Sequence, residues 1–188
     1  MVLTPLSIPG LSLITPTVHG DARGFFVELF NKQSLADAGL PFDVLQHNRS
    51  RSGKNTVRGL HFQWEAPLGK IVQVPRGRAF LVAVDIRPNS PTLGKWESRI
   101  LSEETHEALH LPAGFASGFC ALEEVTEVEY YYDAFYNKDG ESVILWNDAR
   151  LAISWPTEAP ILSARDSAAD SFDAWLARPE AARFSYAQ

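Results

Sequence analysis

The chain has one cysteine, no apolar run long enough to cross a bilayer and no excess of basic residues. Each shortage removes a class of protein. Cys120 has no second thiol to pair with, so an intramolecular disulfide framework is excluded and a reducing compartment is expected. A transmembrane helix needs about 20 consecutive apolar residues. The opening Met1-Val2-Leu3-Thr4-Pro5 also lacks the charged n-region and apolar h-region of a secretory signal. The expectation is a cytoplasmic protein that does not engage a membrane. Lys and Arg number 17 against 23 Asp and Glu, a net charge of -6. That disfavours nucleic acid as a partner, because phosphate backbones are held by basic faces. It leaves room for a local cationic pocket suited to a phosphate ester. Repeats, low-complexity tracts and linkers are missing too. What remains is 188 residues, 45% hydrophobic, with a mean hydropathy of -0.13, which suits one domain with a sizeable core.

The pattern along the chain is β. Residues 6–18 alternate loosely between turns at Pro9-Gly10 and Pro16, and His19 to Gly24 supplies the Gly and Asp that a turn needs. Phe25 to Phe30 reads as a strand carrying Glu28. Lys32 to Ala38 reads as one short helix stopped by Gly39, with Pro41 beyond. Gln46 to Ser50 is polar for a strand, which points to a polar interior or a sheet edge. Lys70–Pro75 and Ala79–Ile86 are β-rich runs separated by Arg76-Gly77-Arg78, a hairpin-type turn. Further strands are expected at Lys95–Leu101, Glu107–Pro112, Phe115–Leu122 and Val125–Tyr132, with Gly114 and Gly118 as break or bulge positions. The last of these strands places Val128, Tyr130 and Tyr132 on one face. A short helix is expected over Ser171–Leu176. Many short strands at regular spacing, with glycines at the corners, imply a β-sandwich or barrel.

Two patterns suggest a metal and are set aside. His106-Glu107-Ala108-Leu109-His110 spells HExxH, but that chemistry needs a helix to bring its histidines to one face. Pro112-Ala113-Gly114 follows at once and leaves too little chain for one. A β-barrel metal site needs several inward ligands on neighbouring strands. Around His61 the sequence offers only Gln63 and Glu65 nearby, so a metal-free barrel is expected.

The stretch that organises the chain is Arg58-Gly59-Leu60-His61-Phe62-Gln63. Side chains alternate faces along a strand, so His61 and Gln63 point one way and Leu60 and Phe62 the other. An inward histidine is either a base or a hydrogen-bonded core residue. General acid–base chemistry would add a carboxylate to orient the imidazole, a tyrosine as proton donor and a lysine to stabilise an oxyanion. Lys70, Tyr130 and several C-terminal aspartates, Asp166 among them, are of the right type. Residue type and spacing alone leave them equally readable as core or solvated side chains.

Over about residues 4–172 the order of motifs resembles the dTDP-4-dehydrorhamnose 3,5-epimerase family. The matching residues begin with Asp21-x-Arg23-Gly24-x-Phe26-x-Glu28, Gln46-x-Asn48-x-Ser50-x-Ser52, Arg58 to Gln63, and Lys70. They continue with Asp85-x-Arg87-x-x-Ser90-Pro91-Thr92-x-Gly94 and Pro112-x-Gly114-Phe115-Ala116-x-Gly118-Phe119. Trp146-Asn147-Asp148, Trp155-Pro156 and Leu162-Ser163-x-x-Asp166 complete the series. The resemblance implies an all-β, cupin-like jelly-roll barrel with a few short helices, working as a homodimer without metal or cofactor on a dTDP-4-keto-6-deoxy sugar. It implies one domain over residues 1–188, with a barrel core over about residues 7–155 and a C-terminal segment, 156–188, that packs on it and supplies Asp166. It places the proton acceptor on His61, its orienting carboxylate on Asp166, the proton donor on Tyr130, and Lys70 near the sugar carbonyl. Arg23 and Arg58 would hold the diphosphate, Glu28, Gln46 and Asn48 would seat the nucleotide, and Tyr136 would stack on thymine. Glu141 and Arg165 fall on substrate-contacting positions. Arg23 and Glu28 would reach the neighbouring subunit's site. Ser117 stands where the family usually has a substrate-contacting histidine. That departure keeps open a 5-only or 3-only epimerase of a related nucleotide sugar, and a non-catalytic sugar-nucleotide-binding cupin.

Overall fold

Short strands with glycine-rich or polar joints make up most of the computed structural model, which describes residues 1–184 and 186. In chain order the strands are β1 (Val2–Pro5), β2 (Ser12–Thr15), β3 (Val18–Asp21), β4 (Gly24–Val27), β5 (Gln46–Ser52), β6 (Val57–Gln63) and β7 (Lys70–Arg76). They continue with β8 (Arg78–Asp85), β9 (Trp96–Ser102), β10 (Ala108–Leu111), β11 (Phe115–Ala121), β12 (Thr126–Tyr132) and β13 (Glu141–Val143). The helical pieces are short: α1 (Lys32–Asp37), α2 (Ala164–Ser167), α3 (Phe172–Leu176) and a 3-10 turn over Pro179–Phe184.

The strands form two main sheets and a separate hairpin. One sheet runs β1-β2-β10-β7-β12-β5, the other β13-β6-β11-β8-β9, and β3 and β4 form a two-stranded sheet of their own. Every strand pairing within them is antiparallel. The architecture is a cupin-like jelly roll. Between the sheets, Val72, Val74, Leu109 and Val128 of the first meet Leu81, Ala83, Phe115 and Phe119 of the second. The back of the second sheet is also covered: Val82, Val84, Leu60 and Phe62 pack under Phe172, Trp175 and Phe184. This explains why β8 reads as an unbroken apolar run, since a strand covered on both faces has no polar side to alternate with. On the back of the first sheet, Ile14, Ile71 and Ala108 pack with Leu35 of α1 and Phe42.

Two local expectations are corrected. Arg76-Gly77-Arg78 does not close a hairpin, because β7 and β8 belong to different sheets. Gly77, at φ +72°, passes so close to Val125 that a Cβ there would lie 2.3 Å from its carbonyl oxygen. The Thr126 hydroxyl donates to the Arg78 carbonyl oxygen at 3.1 Å. The corner is thus held by the neighbouring chain and turns β8 onto the second sheet. The strand expected over Phe25–Phe30 ends at Val27. Beyond it, Glu28 accepts from the Asn31 amide at 3.0 Å, and Asn31 caps α1 through Gln33 N and Ser34 N.

The Asp85-x-Arg87-x-x-Ser90-x-Thr92 pattern serves the fold. Asp85, fully buried, accepts from Arg87 Nε at 2.9 Å, Arg87 Nη2 at 2.7 Å, Ser90 Oγ at 2.6 Å and Thr92 Oγ1 at 2.7 Å. Burial pushes its carboxyl up, but these donors hold it below its ordinary value and pin the loop between β8 and β9. The HExxH stretch is not a helix: His106 lies in a loop at φ +55° and His110 lies within β10. His110 is buried, edge-on to Phe42 at 5.9 Å, far from the helical geometry a zinc pair requires.

Candidate active site

A cavity of about 290 Å³ lies between the sheets, lined from one side by β5, β7 and β12 and from the other by β6, β11 and β13. His61 and Gln63 both face it, as alternation along β6 predicts, while Leu60 is fully buried in the core behind the sheet. Arg58 also faces it, three residues before His61, where a regular strand would place it on the other side. The irregularity is at Gly59, with φ +125°. A Cβ at Gly59 would sit 2.5 Å from the Gly118 Cα, and one at Gly118 would sit 2.6 Å from the Arg58 carbonyl oxygen. Two glycines are needed for this close approach. The β6–β11 register shifts at the same point, between Ser117 and Phe119, so both cationic and imidazole side chains turn inward.

His61 is held at both nitrogens. Nε2 lies 2.8 Å from Asp166 Oδ1 and Nδ1 lies 3.1 Å from Glu141 Oε1. Asp166, only 3% exposed, is fixed in turn by Ser163, which donates to Oδ2 at 2.7 Å and accepts from the Asp166 N–H at 3.0 Å as the N-cap of α2. Burial pushes the Asp166 carboxyl up, but hydrogen bonds from His61 and Ser163 hold it below the usual aspartate value. Burial pulls His61 down, and the two carboxylates more than reverse this, so the imidazole binds its proton more tightly than a free histidine.

The opposite wall carries Tyr130 on β12. Its hydroxyl lies 3.2 Å from Ser50 Oγ, and burial pushes the phenol up to about 12. Lys70, on β7 of the same sheet and 6% exposed, reaches across to donate to Ser117 Oγ on β11 at 3.1 Å. Ser117 is the cross-strand partner of His61, so the ammonium ends beside the base. Burial lowers Lys70 to about 8, partly offset by the charge of Glu141.

The mouth is built on Glu141. Its Oε2 accepts from Tyr136 OH at 3.0 Å and is salt-bridged to Arg165. Despite burial, His61, Arg165 and Tyr136 hold the Glu141 carboxyl down at about 2. Gln46 accepts from the Tyr136 N–H at 2.9 Å and donates to Asn48 at 3.1 Å. Arg58 donates from Nε to Ser52 Oγ at 3.1 Å.

The structure thus brings together His61, Asp166, Tyr130, Lys70, Ser117, Arg58, Tyr136 and Glu141 around one space, with Arg165, Gln46 and Asn48 tied to its rim. Arg23 and Glu28 do not line it; Arg23 pairs with Asp21 at 2.5 Å in the turn between β3 and β4. Sequence reasoning counted Ser163 and Ser50 among the matching motif residues but gave neither a role, and it missed the contact of Glu141 with the imidazole. Ser163 was detectable as the N-cap of a Ser-x-x-Asp capping pattern. The role of Ser50 was not, because its pairing with Tyr130 depends on sheet register.

A family model described as dTDP-4-dehydrorhamnose 3,5-epimerase matches residues 5–174. A curated dTDP-4-dehydrorhamnose 3,5-epimerase of Pseudomonas aeruginosa is 42% identical over 92% of this chain and 96% of its own length. The solved dTDP-6-deoxy-D-glucose-3,5-epimerase RmlC of Legionella pneumophila, in complex with dTDP-4-keto-L-rhamnose, superposes with a TM-score of 0.91 at 38% identity, covering 99% of this chain and 98% of that one. ChmJ, a 3'-monoepimerase from Streptomyces bikiniensis solved with dTDP-quinovose, superposes with a TM-score of 0.86 at 33% identity over 90% of this chain and 87% of its own. With the jelly roll, the cavity and these matches in agreement, this chain belongs to the dTDP-4-dehydrorhamnose 3,5-epimerase family.

Proposed function

We propose that this chain inverts C5 and C3 of a dTDP-4-keto-6-deoxyhexose by removing and replacing a proton at each carbon, through an enolate. The observation that carries the reading is the arrangement of acid and base. His61, backed by Asp166, and Tyr130, on the facing sheet, line the same cavity, and the Lys70 ammonium spans the gap between the sheets. A ketone at C4 acidifies the hydrogens on both neighbouring carbons. His61 in its neutral form takes the proton from carbon, and the electron pair moves onto the carbonyl oxygen. Lys70 stabilises that oxygen as its charge grows, in a buried setting where a fixed cation acts more strongly than in water. Tyr130 delivers a proton to the opposite face and recovers its own from solvent. Its raised pKa keeps the phenol protonated and ready to donate. Two groups on opposite faces are required, because a single base returning its own proton restores the starting configuration. The substrate already carries the ketone, so no redox cofactor enters the balance.

Arg58 on the rim suits the diphosphate and Tyr136, 45% exposed, suits the face of the base. The dimer reading draws on the β3–β4 hairpin, which belongs to neither main sheet and exposes Phe25 and Phe26 at 61% and 70% beside Arg23 and Glu28. We assign these to a second copy of the chain, with Arg23 and Glu28 completing its site. Among the described residues no helix is long and apolar enough to cross a membrane. The lone Cys120, buried and free, suits a cytoplasmic enzyme.

A single-carbon epimerase is the second reading, favoured by Ser117 in the position of a second imidazole and by the likeness to a 3'-monoepimerase. Incubation with dTDP-4-keto-6-deoxyglucose in deuterated water, read by NMR, separates the two. Deuterium at both carbons with inverted product supports the first reading, and deuterium at one carbon supports the second. Binding without exchange at either carbon overturns both.

A further inference from the structure

Resting on the epimerase reading above, we propose that Glu141 is a positioning residue that keeps His61 doubly protonated in the free enzyme and frees it as a base when a sugar enters between them.

The geometry leads there through donor counting. Asp166 Oδ1 and Glu141 Oε1 are both acceptors, and each faces a different ring nitrogen, at 2.8 and 3.1 Å. A neutral imidazole has one N–H and one lone pair, and a lone pair aimed at a carboxylate is repelled. Both contacts are satisfied only by an imidazolium, which has no lone pair to accept a proton from carbon. Asp166 cannot be the group that lets go, because Ser163 and the Gly59 N–H hold it under the strand. Glu141 can, since it already has two other partners at the rim, Tyr136 OH and the Arg165 guanidinium. A sugar carbon approaching Nδ1 has to occupy the position that Glu141 Oε1 now holds. Glu141 then keeps its charge on Arg165, the Nδ1 proton leaves to solvent, and the ring faces the substrate as the neutral base, still oriented through Nε2.

The other charged or titratable groups facing the imidazole do not replace this contact. Arg58 of β6 and Lys70 of β7 are cations, and Tyr130 and Tyr132 of β12 are neutral phenols at working pH, with burial raising both. Among the described residues only the two carboxylates touch the ring nitrogens, and burial alone would lower the imidazole rather than raise it.

The test is the His61 titration, followed by NMR of ring-labelled histidine in the full chain. In Glu141→Gln the midpoint should fall by about one pH unit or more, the usual scale for losing an adjacent opposite charge. In Arg165→Met, whose side chain is 45% exposed, Glu141 loses its competing partner and the midpoint should rise. Opposite shifts from two neighbouring variants are not produced by a purely structural role. Saturating wild type with dTDP-glucose, which fills the sugar site but has no ketone to react, should move the midpoint toward that of Glu141→Gln. The acid limb of kcat/KM, which reports the free enzyme, should move down in Glu141→Gln together with the NMR midpoint. A midpoint indifferent to Glu141→Gln, or shifted the same way by Arg165→Met, overturns the proposal. A bound dTDP-glucose that leaves the midpoint in place overturns the release step. These titrations need no turnover, so a chain inactive as an epimerase would refute the reaction proposed above and leave the state of the imidazole decided separately.

Discussion

Replacing Asp166 by Asn removes one charge and almost no volume, which makes it a clean test of the base. The side chain is 3% exposed and keeps a hydrogen-bonding neighbour in Ser163, whose N-cap role on α2 is unaffected. What changes is the 2.8 Å contact with His61 Nε2. An asparagine can present its amide nitrogen to the ring and favour the tautomer with the proton on Nδ1, pointing the lone pair away from the substrate. If it presents its oxygen, the contact survives but the imidazolium formed during proton transfer loses its counter-charge. A hydrogen bond to a charged group is worth about 1.5–3 kcal/mol, and each 1.36 kcal/mol on the barrier is tenfold in rate. The expected loss in kcat is therefore ~10- to 150-fold. It should appear equally in turnover and in solvent-deuterium exchange, because proton removal precedes both. Circular dichroism and the thermal midpoint would verify that the variant is folded. A folded Asp166→Asn enzyme within about threefold of wild type in both assays would refute the role given to the Asp166–His61 pair.

Other perturbations separate the remaining parts. Tyr130→Phe removes the donor and leaves the base, so turnover should fall by ~10²-fold or more while deuterium exchange persists; loss of both alike would show that the phenol does more than donate. Lys70 is a cation below about 8 and neutral above it, so kcat/KM should decline as pH rises through that value, and Lys70→Met should abolish this alkaline limb along with most activity. Among the described residues the buried Nδ1 of His110 has no partner, and burial lowers its pKa from 6.5 to about 4. Its neutral form is the one the fold accepts, so stability present above pH 6.5 should be lost as pH falls toward about 4, by up to ~3 kcal/mol. His61 acts with the opposite sign, since its raised pKa favours the fold at low pH and that contribution fades as pH rises through the folded value. Chemical denaturation of wild type and His110→Leu from pH 7 to pH 4 isolates the first effect: the variant should lose less stability over that range, and parallel curves would refute the assignment.

What the sequence determined by itself is local. The strand character of residues 58–63, the shared face of His61 and Gln63, a short helix begun near Lys32 and stopped by Gly39, and a polar strand from Gln46, readable as a sheet edge or as facing a polar interior, all follow from covalent geometry and turn chemistry. Ordered motifs then pointed to the family. Tertiary structure decided whatever depends on register between distant segments. It turned Arg58 inward through the contact of Gly59 with Gly118, sent β7 and β8 into different sheets at Gly77, and set Ser50 against Tyr130. It also placed Asp166 and Glu141, 105 and 80 residues along the chain from His61, on opposite nitrogens of one ring. Alternation tells which way a side chain points along its own strand. Which other side chain it meets is set by how two sheets pack, and no local pattern contains that.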